Sequence, residues 1–301
     1  MGSAVVAAED RPGGFSPGVA ARLRLADGRR LFVKAVSASV NPESPKMHRA
    51  EARIAGALPP SVPSPRFLWS YDDGDWVALA FEDIDGSPPI LPWRTKELER
   101  VLDAVTELSR SLTPSPVAAP PVGEVLGPLF TGWRREQQAA KGGGTPPGLD
   151  PWAVANLDRL VALEAVWEEA GQGHTLLHAD LRADNLLLTG DRVYVVDWPH
   201  GCVGAGWIDL VCLLPSVAMQ GGPPPWEMFE QHPVARGAEP QAVDSLVAAL
   251  AGFFTWGSRQ PAPPGLPTLR PFQAAQGRES LAWLRHRIDR RQGFKEKRNW
   301  P

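Results

Sequence analysis

The pattern of apolar and polar residues changes character near residue 84. Before that point, short runs with apolar residues at alternate positions are separated by turn residues, which predicts β-hairpins. Two hairpins are expected, over Ala21–Leu25 and Leu31–Val36 around Asp27–Gly28, and over Arg66–Tyr71 and Trp76–Phe81 around Asp73–Gly74. Between them, Pro45–Leu58 has apolar residues at helical spacing and stops at a proline pair, which predicts a helix.

Beyond residue 84 the apolar spacing becomes helical over long segments. Helices are expected over Thr95–Ser111, Pro151–Ala170, Trp207–Met219, Gln241–Gly257 and Phe272–Arg291. A chain of 301 residues exceeds the usual range of a single core. We therefore expect an α+β, bilobal fold, with a small β-rich lobe carrying one helix over residues 1–84 and a larger, mostly helical lobe over residues 85–301.

Composition narrows the class of partner. The net charge of -3 and the pI near 6.1 give no global basic field, so neither nucleic acid nor an anionic membrane is expected to bind. Cys202 and Cys212 have no metal-binding or disulfide-framework spacing. No stretch approaches the roughly 18 apolar residues of a membrane span. These features favour a cytoplasmic protein with a small-molecule partner.

The most informative motif is His-Ala-Asp-Leu-Arg-Ala-Asp-Asn over His178–Asn185, followed twelve residues after Asn185 by Asp197. Phosphoryl transfer from a magnesium nucleotide needs one carboxylate to accept a hydroxyl proton. It also needs an amide and a second carboxylate to hold the metal against the phosphates. A loop followed by a hairpin can bring three such groups together. The alternative is a polar turn between buried strands, with Asp180 and Asp184 bonding the loop backbone.

The region before residue 84 contains candidates for the rest of such a site. Lys34 lies in an otherwise apolar strand, where an ammonium group needs a carboxylate partner, and Glu51 follows 17 residues later in the predicted helix. A glycine-rich stretch that includes Gly14 and Ser16 precedes the first strand, where backbone N–H groups could approach phosphates. The glycine-rich stretch could also be an ordinary loop, and Glu51 part of a solvated helix face.

Taken together, these features resemble the aminoglycoside phosphotransferase family within the protein-kinase-like small-molecule kinases. The resemblance runs from about Gly13 to Asp209 and is strongest over His178–Asp197. It implies ATP, or alternatively GTP, and Mg²⁺ as cofactors, with the nucleotide bound by residues 1–84. It also implies a catalytic and acceptor-binding role for residues 85–301.

The resemblance also implies individual roles. For nucleotide binding, it makes Lys34 the phosphate-binding lysine with Glu51 as its partner. It also makes Gly14 and Ser16 part of the phosphate cover, and the hinge that binds adenine would be Phe81, Glu82 and Asp83. For catalysis, it makes Asp180 the base and Asn185 and Asp197 the magnesium ligands. His178 would brace the loop, and Asp209 would cap the following helix and steady the catalytic loop.

Several positions depart from protein kinases. Ala179 replaces the usual arginine, Trp198-Pro199 follows Asp197, and only eleven residues separate Asp197 from Asp209, so a protein substrate is not expected. Arg182 stands where related kinases carry lysine or histidine. Its guanidinium could stabilise charge on the transferring phosphoryl group. Alternatively, it is a surface arginine paired with Asp184.

The acceptor is less well defined. From Gly201 onward, eight acidic residues face eleven Lys or Arg, which argues mildly against a polycationic aminoglycoside. Aromatic residues and arginines in this region would suit a neutral or anionic hydroxylated molecule, or could simply be helix packing: Trp207, Trp226, Phe229, Phe253, Phe254, Trp256, Trp283, Arg270, Arg278, Arg285 and Arg287. The expected function is phosphoryl transfer to a hydroxyl of an antibiotic, an aminoglycoside-like compound or another metabolite, with a role in antibiotic resistance or metabolism. The alternative is a catalytically silent, kinase-like binding module.

Overall fold

The computed structural model describes residues 2–11, 18–143, 148–263 and 266–298. They form two compact units, each assembled from separate stretches of chain. The first, here the sheet unit, comprises the residues up to Ile90 together with Arg94–Ala119 and Leu176–Cys202. The second, here the helical unit, comprises Leu91–Trp93, Pro120–Thr175 and the residues from Val203 onward. The division into lobes at residue 84 stays a prediction.

A five-stranded antiparallel sheet, in the order β1-β2-β3-β5-β4, dominates the sheet unit. Its strands are β1 Val5–Asp10, β2 Val19–Leu25, β3 Arg30–Ser37, β4 Phe67–Asp72 and β5 Trp76–Glu82. Both predicted hairpins form, and their turns contain Gly28 and Gly74 at φ of 86° and 98°, where glycine is favoured. Strand β1 was not predicted, because all of its residues are exposed and none of the usual alternation is present.

One helix, α1 (Ser44–Ala57), packs on this sheet as predicted. Its residue Ala55 joins a core formed by Val36 of β3 and the β5 residues Val77, Leu79 and Phe81. The apolar stripe of α1 fixes which of its residues face the sheet. Glu51, one turn before Ala55, is therefore buried.

The motif segment completes the sheet unit, together with helix α2 (Thr95–Ser111). Strands β6 (Thr175–Leu177), β7 (Leu186–Leu188) and β8 (Val193–Val195) flank the motif. Strands β7 and β8 form the expected antiparallel hairpin. The backbone N–H of Val195 also donates to the carbonyl of Pro63 at 2.7 Å, which ties the hairpin to the loop before β4.

The helical unit contains most of the remaining helices. They are α3 Val122–Leu126, α4 Gly132–Gly143, α5 Pro151–Ala155, α6 Leu157–Ala165, α7 Trp167–Ala170, α8 Ile208–Met219, α9 Pro225–Gln231, α10 Pro240–Ser258 and α11 Leu269–Arg298. A short strand, β9 (Cys202–Gly204), lies where the chain passes from the first unit to the second. The single helix expected over Pro151–Ala170 is wrong. The chain leaves helical geometry at Asn156 and Val166, with φ of -115° and -109°, and divides that segment into three helices. No helix in the described ranges is long and apolar enough to cross a membrane.

Helices α4 and α10 approach closely at Gly132 and Gly252. A Cβ atom on Gly132 would overlap the carbonyl group of Gly252. The fully buried carboxylate of Glu164 accepts from the backbone N–H groups of Trp133 and Arg134 at 2.6 and 3.2 Å, which caps the start of α4. The contact between Gly132 and Gly252 therefore has no room for a larger residue at position 132.

Substitution of Gly132 by alanine should destabilise the fold by about 2–3 kcal/mol, because two backbones would have to separate. Thermal unfolding followed by tryptophan fluorescence measures the change. Gly190→Ala is the matched control, since a Cβ atom there has nothing within 4 Å. Equal melting temperatures for the two variants would contradict the close approach.

Candidate active site

Three charged side chains from distant parts of the sequence meet in the sheet unit. The Nζ atom of Lys34, on β3, contacts the carboxylate of Glu51, on α1, and lies 2.5 Å from Oδ1 of Asp197. The Lys34 and Glu51 side chains are only 14% and 3% exposed, whereas Asp197 is 42% exposed. The ammonium group is thus held from the buried side by one carboxylate and from the open side by another.

Burial and pairing act against each other in this cluster. Burial alone would lower the pKa of Lys34, but Glu51 and Asp197 reverse the effect and raise it. Burial raises the pKa of Glu51 to about 7 in spite of Lys34. The partly exposed Asp197 has a lowered pKa, because attraction to Lys34 outweighs its desolvation. Lys34 and Asp197 therefore stay charged beside each other.

Asn185 is adjacent to this cluster through the backbone. The N–H of Val196 donates to the carbonyl of Asn185 at 3.0 Å, which places the residue before Asp197 against Asn185. The Asn185 side-chain Nδ2 donates to the backbone carbonyl of Asp180 at 2.8 Å and lies 3.3 Å from its carboxylate. These bonds use the amide nitrogen and orient the amide oxygen away from the loop carbonyl.

The donor set fits a magnesium ion. The amide oxygen of Asn185 and the carboxylate of Asp197 are hard oxygen ligands, and Mg²⁺ is usually held by one or two such side chains together with phosphate oxygens. Within the described ranges, no cluster of three His, Cys, Asp or Glu could hold a metal by itself. Asn185 and Asp197 would supply two of the oxygen ligands of a bound Mg²⁺.

Asp180 lies in a network with Arg182 and Asp184. Arg182 binds Asp184 through two nitrogens at 3.0 Å each, and its Nη1 lies 3.2 Å from Oδ1 of Asp180. Burial raises the pKa of Asp180, although the charge of Arg182 opposes the shift. Both interpretations of Arg182 thus find a geometric basis, since it pairs with Asp184 and also contacts the candidate base.

His178 fixes the start of the loop. The backbone N–H of Asp180 donates to its Nδ1 at 3.2 Å, so Nε2 carries the proton and donates to the carbonyl of Val196 at 2.9 Å. Burial lowers its pKa to about 4, which keeps the ring neutral. Its ring packs edge-to-face with that of Trp198, with ring centroids 4.9 Å apart. His178 therefore links both ends of the segment that carries Asp180 and Asp197.

The predicted hinge residues lie at and just beyond the end of β5. Phe81 is buried with its ring 5.8 Å from Nζ of Lys34. Glu82 pairs with Arg66 at 3.0 Å, and the Asp83 side chain, 2% exposed, pairs with Arg22 at 2.7 Å. The acidic side chains of Glu82 and Asp83 thus have partners within the fold.

Gly14 and Ser16, predicted to cover the phosphates, lie outside the described residues. Gly18, where the description resumes, has a close backbone neighbour. A Cβ atom there would come within 2.6 Å of the carbonyl oxygen of Ala35, next to Lys34. The chain leaving the glycine-rich stretch thus runs close beside the lysine strand.

Sequence reasoning missed two histidines near the charged groups. His48 lies one turn before Glu51 and is buried. Burial, together with the charge of Lys34, lowers its pKa to about 4. His200 is close enough for its charge to lower the pKa of Asp180. The spacing of three between His48 and Glu51 on one helix could have identified the first, whereas no motif marks the second.

The aromatic and arginine set after Gly201 contributes to packing in the helical unit at several positions. Trp283 is fully buried against Phe229, with ring centroids 5.4 Å apart. Arg287 pairs with the buried Asp244 at 2.6 Å. At these positions the helix-packing alternative holds.

The buried histidines predict acid sensitivity. An unfolded histidine has a pKa near 6.5, so between pH 6.5 and 4 the unfolded chain binds protons that folded His48 and His178 do not. The free energy of unfolding should therefore fall as the pH falls through this window, by at most about 3 kcal/mol for each histidine. His48→Leu should make the dependence shallower in urea titrations at pH 4.5 and 7. The control is His174→Leu at an exposed position, and an unchanged dependence in His48→Leu would contradict the assignment.

Comparison with known proteins identifies the family and the fold of this chain. A family model described as the phosphotransferase enzyme family matches residues 11–261. A comparison with curated protein sequences finds no match. Similar solved structures include a thermostable mutant of aminoglycoside phosphotransferase APH(4)-Ia, in ternary complex with AMP-PNP and hygromycin B. It is 12% identical, with 95% of this chain and 92% of that chain covered and a TM-score of 0.59.

Two further structures are similar at low identity. Amicoumacin kinase in complex with AMP-PNP, Ca²⁺ and Ami is 10% identical, covering 91% of this chain and 87% of its own, with a TM-score of 0.55. A choline/ethanolamine kinase family protein from Mesorhizobium loti is 17% identical, covering 94% and 88%, with a TM-score of 0.57. These likenesses confirm the α+β, protein-kinase-like fold. With the family model spanning residues 11–261, the chain belongs to the phosphotransferase enzyme family, the aminoglycoside phosphotransferase family that its motifs resemble.

Proposed function

We propose that this protein transfers the γ-phosphoryl group of ATP to a hydroxyl group of a small molecule, with Mg²⁺ as cofactor. The observation that carries the proposal is the pairing of Lys34 with Glu51 and Asp197, next to a loop that holds Asn185 and Asp180. A buried ammonium group with one exposed carboxylate partner is suited to receive phosphate oxygens on its open side. A catalytically silent module would have no need for the complete set.

Each residue has a defined task in the proposed reaction. Lys34 would bind phosphate oxygens, with Glu51 holding it in place. Asp180 would orient the acceptor hydroxyl and take its proton as the oxygen forms a bond to the γ-phosphorus and the bond to the departing nucleoside diphosphate breaks. Asn185 and Asp197 would hold the metal, which when bound supplies positive charge against the phosphates. Arg182 would place a further positive charge beside Asp180.

The proposed nucleotide is ATP. Two of the similar structures, the aminoglycoside phosphotransferase and amicoumacin kinase, contain AMP-PNP, an adenine nucleotide. In this chain the ion-paired side chains of Glu82 and Asp83 leave backbone groups of the hinge as the candidate adenine partners. This combination supports an adenine nucleotide without fixing the acceptor.

For the acceptor, we propose a hydroxylated molecule of low positive charge. The similar structures carry hygromycin B or belong to kinases named for amicoumacin and choline or ethanolamine, which spans varied small molecules. In the helical unit, Asp244, Glu230 and Glu164 all pair with arginines. Carboxylates that already have partners are less available to hold several ammonium groups.

Asp180→Asn should lower kcat by about 10²–10⁴-fold, since general-base catalysis contributes that much, while nucleotide affinity changes only a few-fold. Coupled detection of ADP with an active acceptor measures kcat, and titration calorimetry measures nucleotide affinity. Asp191→Asn, at an exposed turn of the same hairpin, is the control. Loss of nucleotide binding in a folded Asp180→Asn protein would show that its role is different. Full turnover in that variant would exclude it as the base.

Glu51→Gln should raise KM for ATP by about tenfold, because Lys34 loses its buried partner and is left to Asp197 alone. Steady-state kinetics at saturating acceptor measure KM. Glu43→Gln, at an exposed position just before the same helix, should leave KM unchanged. If both variants gave the same KM, Glu51 would not be positioning the lysine.

A further inference from the structure

We propose that Arg22 is a positioning residue for adenine: it fixes the hinge backbone so that the N–H of Asp83 is presented to the base and selects ATP over GTP. The inference rests on the proposed function and deepens it. It concerns β2, a strand to which the sequence motifs assign no role.

The geometry joins one guanidinium to the hinge residue Asp83 and to Ile84, which follows it. The Nε atom of Arg22 lies 2.7 Å from Oδ1 of Asp83, and its Nη2 donates to the carbonyl oxygen of Ile84 at 2.7 Å. A planar guanidinium has donors in a fixed arrangement, so two contacts from the same group define the position of both residues. A lysine ammonium could not impose the same geometry.

The buried Asp83 carboxylate lies between two arginines. Its side chain is 2% exposed, and a second arginine, Arg30 on β3, places Nε 3.2 Å from Oδ2. That oxygen has no hydrogen-bond partner among the described residues. Arg30, itself half exposed, therefore contributes mainly charge, whereas Arg22 also binds the neighbouring carbonyl.

With its side chain buried, Asp83 exposes only its main chain. Asp83 as a whole is partly exposed although its side chain is buried, so its exposed surface is main chain. Within the described part of the chain, no group accepts a hydrogen bond from its backbone N–H. The ion pair thus turns the side chain inward, and the partly exposed main chain of Asp83 carries a hydrogen-bond donor without an acceptor among the described residues.

A fixed donor discriminates between purines. Adenine carries an unprotonated N1 that accepts a hydrogen bond. Guanine carries a proton at N1, so its N1–H donor would face the N–H donor of Asp83. An unpaired donor facing a donor costs more than a lost contact. A hinge held in one position by Arg22 should therefore favour ATP, and a hinge released from Arg22 should lose that preference.

The test compares Arg22→Met with Arg24→Met, an exposed arginine two positions further along β2. Dissociation constants are measured for magnesium complexes of ADP, GDP and inorganic tripolyphosphate, which has no base. Arg22→Met should weaken ADP binding about tenfold, the equivalent of one or two hydrogen bonds, and narrow the ADP-to-GDP ratio. The affinity for tripolyphosphate should change less than about twofold, because this ligand has no base for the hinge to bind. The dissociation constants of Arg24→Met should match those of the wild type.

The outcomes separate the inference from the function on which it rests. If Arg22→Met weakened ADP and tripolyphosphate equally, or weakened neither, the positioning role would be overturned while the nucleotide site remained. If the wild-type protein bound none of the three ligands, the proposed function itself would fail. Should Arg22→Met not fold, Arg22→Lys keeps a charge beside Asp83 without the two-point contact, and the same selective loss for ADP decides the question.

Discussion

The burial of one ammonium group organises the candidate site. Lys34 enters the sheet unit on a strand whose neighbours are apolar, and an unpaired charge there would cost several kcal/mol. Glu51 and Asp197 remove that cost only if α1 and the chain just after β8 both lie close enough to β3 for their carboxylates to contact Lys34. Removing either carboxylate would leave the other charges unbalanced. The same three charges provide the polarity that a phosphate and its metal require, so stability and proposed chemistry depend on one arrangement.

The motif segment is held in a backbone geometry that few residues adopt. Ala179 and Asp197 have φ of 63° and 70°, which is unfavourable for residues with a Cβ atom. The neutral ring of His178 offsets this by bonding the N–H of Asp180 at one side and the carbonyl of Val196 at the other. Of the described residues in this segment, the two with this geometry are Ala179, next to the candidate base, and Asp197, a candidate metal ligand.

Sequence patterns predicted the parts of this protein that depend on local rules. Both hairpins and α1 follow from alternation, turn glycines and proline stops, and the partnership of Lys34 with Glu51 follows from the need to pair a buried charge. The exposed strand β1 was missed because it has no buried face to give alternation. The breaks at Asn156 and Val166 are changes of backbone angle at single residues, which a helical periodicity does not reveal. The contacts of Arg22 with Asp83 and Ile84 span some 62 residues, and no local pattern encodes them.

The proposed chemistry is tested most directly by ³¹P NMR of the wild-type protein with magnesium ATP and a panel of hydroxylated compounds, including aminoglycosides, nucleosides, sugars and amino alcohols. The site described here predicts that at least one compound gains a phosphomonoester resonance as the γ-phosphate resonance of ATP declines in equal amount. The opposite result would be a folded protein that binds no nucleotide in the presence of magnesium and phosphorylates none of the compounds. That result would contradict the assignment of Lys34, Glu51 and Asp197 to a phosphoryl-transfer site.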